Sequence, residues 1–146
     1  MTEPDIDLSV MRTDQVRFAE TDLQGVVFYG QFFTYMDEAF NALLREIDYR
    51  YERMDAEGWT THVVHADLDY HATARFEDVI ESHLGITEVG ETSFTAAFEG
   101  REEATGELLA SGSVVHVAAD SETGDAIDVP EAFRGAIEAH RTEALS

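Results

Sequence analysis

The sequence predicts an α+β domain in which one antiparallel sheet packs on a single long helix. Three observations lead there. One stretch in the first third carries a helical period, the later segments alternate with a period of two, and short turns separate those segments. A parallel, doubly wound sheet would need helices between the strands, and the turns leave no room for them.

Residues 1–12 read as an acidic N-terminal tail, and 13–146 as one domain without repeat or linker; the two prolines, Pro4 and Pro130, both sit near the ends. Val16 and Phe18 alternate with Arg17 and Ala19 as a short strand, which runs into the polar loop Glu20-Thr21-Asp22-Leu23-Gln24-Gly25. From Tyr29 to Ile47 the period becomes helical. Phe32, Met36, Ala39, Phe40, Leu43, Leu44 and Ile47 form one face, and Gln31, Thr34, Glu38, Asn41 and Arg45 the other. Such a helix is roughly 25 Å long at 1.5 Å per residue.

After a charged connection, Asp48 to Gly58, the chain reads as strands. Val64, Ala66, Leu68 and Tyr70 alternate with His65, Asp67, Asp69 and His71. Ile80 to Val89, Phe94-Ala96-Phe98 and Leu108 to Ala119 follow, with turn signals at Gly90-Glu91 and Thr105-Gly106. Four consecutive strands with short turns imply an antiparallel meander. Pro130 to Leu145 closes the chain as a helix with Pro at its first position and Phe133, Ala136, Ile137 and His140 along one side.

Composition narrows the partners. The 146 residues hold 31 Asp or Glu against 9 Arg and no Lys, a net charge of −22, while 44% hydrophobic content is enough for a packed core. Acids spread along the whole chain disfavour nucleic acid and anionic membranes, both of which recruit Lys and Arg. Cysteine is absent, which removes disulfides and thiolate chemistry. The longest charge-free stretch, Leu23 to Met36, is 14 residues, short of the ~20 that span a bilayer. Thr2-Glu3-Pro4-Asp5 lacks the basic and apolar regions of a signal peptide, so a soluble cytoplasmic protein is expected. Acidity without Lys resembles the cytosolic proteins of salt-accumulating halophiles, where at about 1 M salt a Debye length of ~3 Å screens self-repulsion.

Several chemistries find no motif. There is no G-x-S-x-G elbow, since Ala110-Ser111-Gly112-Ser113 lies inside a strand pattern, and no phosphate-binding glycine loop. His65, Asp67, Asp69 and His71 share a strand face, but a half-exposed strand needs polar residues at that period anyway, so no metal is expected. The remaining candidate is the loop that sets Glu20 and Asp22 before the apolar helix. Gly25 and Gly30 permit close backbone approach there, and free N–H groups at a helix start can polarise a carbonyl gaining charge. On the residues alone, an acidic turn before a helix equally serves helix initiation.

Residues Glu20, Asp22, Gly25, Val26, Val27, Phe28, Phe32, Tyr35 and Asp37 match a signature of the form (D/E)-x-D-x-x-G-(V/I)-V-(Y/F/W) followed by an aromatic-rich helix with an acidic residue. Ala72-Thr73-Ala74-Arg75-Phe76-Glu77-Asp78-Val79-Ile80 matches a second, a small-residue turn ending in Asp before a strand. Over about residues 13–120 the chain resembles the 4-hydroxybenzoyl-CoA thioesterase family of hotdog-fold proteins, including the acyl-CoA thioesterases associated with the Tol-Pal system. The resemblance implies a hotdog fold, a sheet wrapped around one helix, that hydrolyses an acyl-CoA substrate without a cofactor. It implies Asp22 as nucleophile or general base and the Tyr29 backbone N–H as the group that polarises the thioester carbonyl. Gly25, Phe28 and Phe32, with Phe33, are the candidates for substrate contacts; given the acidic charge, a local Arg such as Arg75, or an Arg of a partner subunit, is expected to meet the CoA phosphates. Edge-to-edge homodimers or homotetramers are implied too, with sites at the subunit interface near the other subunit's 58–72 region. The chain departs from the pattern in three places. Some relatives have His at Tyr29, a helix Arg is replaced around Phe40 and Asn41, and Val89-Gly90-Glu91-Thr92 lacks the basic residues that hold CoA phosphates. The alternatives are a hotdog enoyl-thioester hydratase or dehydratase, whose His would fall at Val27, and a non-catalytic acyl-CoA-binding domain.

Overall fold

Every second residue of three successive strands turns inward, and that alternation builds the core. Ile80, Ser82, Leu84 and Ile86 are buried on one strand, Phe94, Ala96, Phe98 and Gly100 on the next, and Val114, His116 and Ala118 on the third. The computed structural model describes residues 8–145, with side chains through Arg141. Its elements are β1 (Ser9–Gln15), a 3₁₀ turn (Phe18–Glu20), α1 (Gln31–Glu46), α2 (Tyr51–Ala56), β2 (Trp59–Tyr70), β3 (Val79–Val89), β4 (Ser93–Glu102), β5 (Leu108–Asp120) and α3 (Glu131–Leu145).

The sheet order is β1-β3-β4-β5-β2, with every neighbouring pair antiparallel. α1 lies on its inner face against β1, β3 and β4. The helix buries Phe32, Met36, Ala39, Phe40, Leu43 and Leu44, as its period predicts, and adds Tyr35. α3 seats Phe133 against Tyr49, Trp59 and Phe94, closing the end of the core away from the start of α1. Among the described residues, no helix is long and apolar enough to cross a membrane.

The structure corrects four expectations. The first strand is Ser9–Gln15, inside the stretch expected as a tail, and only residues 1–7 of that stretch lie outside the described chain. Its register slips between Val10 and Arg12, and the slip breaks the alternation that marks a strand in sequence. The segment expected as a strand, Val16 to Ala19, instead enters a 3₁₀ turn. There the Glu20 carboxylate accepts the Arg17 N–H at 3.0 Å and draws the chain tight, leaving Val16 buried and Phe18 exposed. The charged connection holds a short helix, α2, whose Met54 is fully buried. The meander is limited to β3-β4-β5; β2 pairs with β5 at the opposite edge of the sheet, so residues 71–78 cross over its end. Gly112 makes that pairing possible. It faces Leu68 across the ladder, and a Cβ there would stand 2.0 Å from the Asp67 carbonyl oxygen.

Candidate active site

The two matched sequence motifs, about 50 residues apart, are bound to each other by backbone hydrogen bonds. The Val27 N–H donates to the Ala74 carbonyl at 2.8 Å, Glu77 N–H to Val16 at 3.0 Å, and Val16 N–H to Asp78 at 2.8 Å. Val26 forms an isolated bridge with Arg75 and Val27 one with Thr21. The Asp78 carboxylate accepts the Arg75 N–H at 2.8 Å and so holds the second turn in shape.

Within this frame the loop carrying Asp22 is a tight reversal. The Asp22 N–H donates to the Val26 carbonyl at 2.9 Å and the Gly25 N–H returns to the Asp22 carbonyl at 3.0 Å. Gly25 takes φ +78°, a left-handed conformation that costs glycine little and other residues more. Asp22 Oδ1 accepts the Gln24 N–H at 2.8 Å, an Asx turn within its own loop. Among the described residues the carboxylate has no other partner, and it is half-buried.

Glu20, two residues earlier, is fully committed. Its Oε1 accepts the Arg17 N–H at 3.0 Å and the Tyr35 hydroxyl at 2.9 Å, and its Oε2 accepts the Arg17 guanidinium at 3.1 Å and the Gln31 amide at 3.3 Å. Burial alone would raise its pKa, yet the bonds from the Arg17 N–H, Tyr35 and the Arg17 guanidinium together outweigh burial and hold it below the ordinary carboxylate value. Tyr35 is pushed well above the usual phenol range by burial and by this carboxylate. Of the loop's two acids, then, Glu20 braces the loop against α1, and Asp22 is the one with chemistry to spare.

The chain reaches α1 through Phe28, Tyr29 and Gly30. The Phe28 N–H donates to the Glu20 carbonyl and the Gln31 N–H to the Phe28 carbonyl, each at 2.9 Å. Between them the Tyr29 N–H has no acceptor among the described residues. The N-cap is Gly30, which offers no side-chain cap; the Phe33 N–H meets the Gly30 carbonyl at 3.1 Å, and the positive end of the helix dipole carries no side-chain acceptor. A Cβ at Gly30 would stand 2.8 Å from the exposed Phe28 ring, which would have to shift to admit it. Tyr70, at the end of β2, fixes this corner by donating its hydroxyl to the Tyr29 carbonyl at 2.8 Å and packing on Phe32.

The expected site residues thus divide into two groups. Asp22, Gly25, Phe28 and Tyr29 share one loop and helix start, where Phe28 and Tyr29 are exposed and their rings pack at a tilt of 42° with centroids 4.6 Å apart. Arg75 joins them, its Nη1 lying 3.8 Å from where a Gly25 Cβ would be. Phe32 is buried against Tyr35 and Tyr70 beneath the corner. The His65 and Asp67 side chains pair with each other at 3.1 Å, Asp67 also accepts from Ser113, and His71 bonds Ser111, so these polar groups satisfy one another across β2 and β5. Sequence reasoning missed the Glu20 brace, whose signal was the aromatic hydroxyl of Tyr35 on the inward face of the helix. It also missed His116, a buried imidazole in a strand whose alternation points it into the core.

Comparison with known proteins bears on the fold and the family. The family model of the thioesterase-like superfamily matches residues 16–137. A 1,4-dihydroxy-2-naphthoyl-CoA hydrolase of Synechocystis is 30% identical over 104 residues, covering 70% of this chain and 75% of that protein. The crystal structure of a 1,4-dihydroxy-2-naphthoyl-CoA thioesterase from Synechocystis, Slr0204, superposes with a TM-score of 0.80 at 27% identity, over 86% of this chain and 93% of that one. The gentisyl-coenzyme A thioesterase BH1999 superposes at 0.75 with 25% identity, over 86% and 98%. Having the five-stranded sheet and central helix of these hotdog structures and matching the family across both of its sequence motifs, the chain belongs to the thioesterase-like superfamily.

Proposed function

We propose that this enzyme hydrolyses an acyl-CoA thioester to a free acid and CoA, using the Asp22 carboxylate beside the open N-terminus of α1. One observation carries the reading: the loop holds two acids, Glu20 is consumed by Arg17, Gln31 and Tyr35, and Asp22 is left half-exposed in the loop that leads to the unpaired Tyr29 N–H. A thioester carbonyl accepting from the Tyr29 N–H is polarised as it gains negative charge, and the helix dipole favours the same charge. Asp22 then attacks that carbon and expels the CoA thiolate, leaving an acyl–Asp22 anhydride that water cleaves to the free acid while the thiolate takes up a solvent proton; or Asp22 takes a proton from the water that attacks, and the collapsing adduct expels the thiolate, which receives that proton. Relatives that act on 1,4-dihydroxy-2-naphthoyl-CoA and gentisyl-CoA support a CoA ester as the substrate. Arg75, beside Gly25, is the cation positioned for the CoA phosphates.

The enzyme works in the cytoplasm as a homodimer or homotetramer. Support for assembly comes from β2, whose outer edge pairs with no described strand and bears exposed Val63 and Val64. A hydratase is disfavoured, because its His would fall at Val27, which is buried and cannot carry a proton.

The test is release of free thiol from a panel of acyl-CoAs in molar KCl. Wild type should turn over, and Asp22→Asn should lose about 10²–10⁴-fold in kcat, the usual weight of a positioned acid–base group. Hydrolysis by Asp22→Asn as fast as wild type would overturn the mechanism, and tight acyl-CoA binding with no turnover would make the domain a binding module.

A further inference from the structure

A cavity of about 170 Å³ lies between α1 and the strands β2 and β5. Phe33, Met36 and Phe40 line it from the helix, Val63 and Ala66 from β2, and His116 from β5. Its walls are apolar apart from two groups, His116 and Asp37. His116 is 2% exposed, faces Val63 across one ladder and Phe94 across the other, and stacks on Phe40 at 4.2 Å and on Phe94 at 5.1 Å. Neither of its ring nitrogens makes a hydrogen bond among the described residues, and Nδ1 is sealed from solvent. A buried polar ring left unsatisfied costs about 1–3 kcal/mol, so this site favours an occupant that can bond it.

Building on the acyl-CoA reading above, we propose that this cavity receives the far end of the acyl group, and that His116 selects acyl groups carrying an uncharged hydroxyl or keto oxygen there. Three considerations define the ligand. The first is reach. The cavity's helix residues centre about seven positions beyond Tyr29, roughly 11 Å along α1 at 1.5 Å per residue. A thioester held at the Tyr29 N–H covers about 9 Å of that distance with an extended chain of about eight carbons, which advances ~1.3 Å per C–C bond, and a terminal oxygen with its hydrogen bond covers the rest. The second is volume. An apolar cavity of about 150 Å³ takes a benzene ring, so this one takes the end of a medium-length or ring-ended acyl group and not a long fatty chain.

The third consideration is charge. Asp37 lines the same cavity and repels an acyl carboxylate. The imidazole is buried between two aromatic rings and is held neutral, offering one N–H and one lone pair. With Nδ1 sealed, a hydroxyl or ketone oxygen can meet the ring at Nε2, whereas a methyl end leaves that nitrogen unsatisfied. Sites built to bond a hydroxyl reject the analogue lacking it far more strongly than apolar pockets reject a missing methylene.

The probes are butanoyl-CoA, octanoyl-CoA and 8-hydroxyoctanoyl-CoA, with thiol release followed for wild type, His116→Phe and Ala66→Leu. Wild type should show kcat/KM about tenfold or more higher for 8-hydroxyoctanoyl-CoA than for octanoyl-CoA. His116→Phe should bring that ratio to one or below. Ala66→Leu, which fills the cavity from a solvent-facing strand position, should cut the octanoyl-to-butanoyl ratio about tenfold. Equal wild-type rates on the two eight-carbon esters, a ratio that survives His116→Phe, or an unchanged chain-length profile in Ala66→Leu would each overturn the proposal. If His116→Phe does not fold, ring ¹⁵N shifts of His116 in wild type titrated with 8-hydroxyoctanoate decide: a shift supports it, and none at saturation refutes it. Absence of thiol release from all three esters would instead strike at the thioesterase reading itself.

Discussion

Replacing Glu20 with glutamine keeps the side chain's shape and removes its charge, which isolates what the brace contributes. The carboxylate accepts from the Arg17 N–H, Tyr35, the Arg17 guanidinium and Gln31. The guanidinium is 77% exposed, so its ion pair contributes well under 1 kcal/mol. The bonds from the Arg17 N–H and from the buried Tyr35 hydroxyl weaken from charge-assisted to neutral, about 0.5–1.5 kcal/mol each, and the new amide N–H₂ opposes donors of Arg17 or Gln31. The sum is about 2 kcal/mol at pH 7, or roughly 4–8 °C in Tm for a domain of this size. The pH dependence has a definite sign. Glu20's folded pKa is held below its ordinary value, so its contribution is complete above about pH 4.5 and is lost as pH falls through the folded pKa. Thermal melts at pH 7 and in acid, each in low and molar KCl, check this. The two proteins should converge in acid, and the gap at pH 7 should largely survive salt, because the Tyr35 bond is buried. A gap below about 0.5 kcal/mol at pH 7, or one undiminished in acid, would refute the brace.

Two more changes follow from particular contacts. Burial pushes the His116 pKa down to about 4 from an ordinary value near 6.5, so folding stability is complete above pH 6.5 and declines by about 3 kcal/mol as pH falls to 4. Unfolding free energies from urea titrations at pH 7 and pH 5 should differ by about 2 kcal/mol less in His116→Phe than in wild type. Gly112→Ala would push a methyl to 2.0 Å from the Asp67 carbonyl, which is backbone and cannot turn away; a loss of about 3 kcal/mol or more is expected, read as a lower urea midpoint.

Much of this architecture is written in periodicity. The α1 face from Phe32 to Leu44 and the inward residues of β3, β4 and β5 follow from spacing alone, because a buried face leaves few choices at those positions. What sequence spacing omits is whatever depends on partners distant in the chain. β2 and β3 are neighbours in sequence, yet β2 pairs with β5, and period-two patterning is silent on which edge a strand joins. α2 has six residues and one buried side chain, Met54, below the length at which a helical period can be read. Within the candidate site, Asp22, Gly25 and Tyr29 lie in one short stretch and so can be proposed together from the sequence. Glu20's role could not, since its decisive partner Tyr35 is 15 residues away and meets it only after α1 has docked.

The net charge of −22 and the polyanionic CoA ester proposed as substrate place opposite demands on the same surface, and the arginines bear on how both could be met. Of the nine, Arg12, Arg17, Arg53, Arg101 and Arg141 pair with carboxylates, and Arg134 is held by the carbonyls of Val129, Gly90 and Glu91. Among the described residues, Arg45, Arg50 and Arg75 are the guanidinium groups without an ion pair or hydrogen bond, and Arg75 alone stands beside the Asp22 loop. One exposed arginine cannot offset the long-range field of so many acids in dilute buffer. Once the Debye length shrinks to a few ångströms, its contact with a phosphate is governed by near neighbours. Acyl-CoA affinity should therefore rise as KCl goes from about 0.05 M to molar levels, the reverse of ordinary phosphate-binding sites, which weaken with salt. Arg75→Ala should flatten the molar end of that curve. A steady fall in wild-type affinity over the range would mean that local attraction outweighs the field, and the acidic surface would then need another explanation than life in salt.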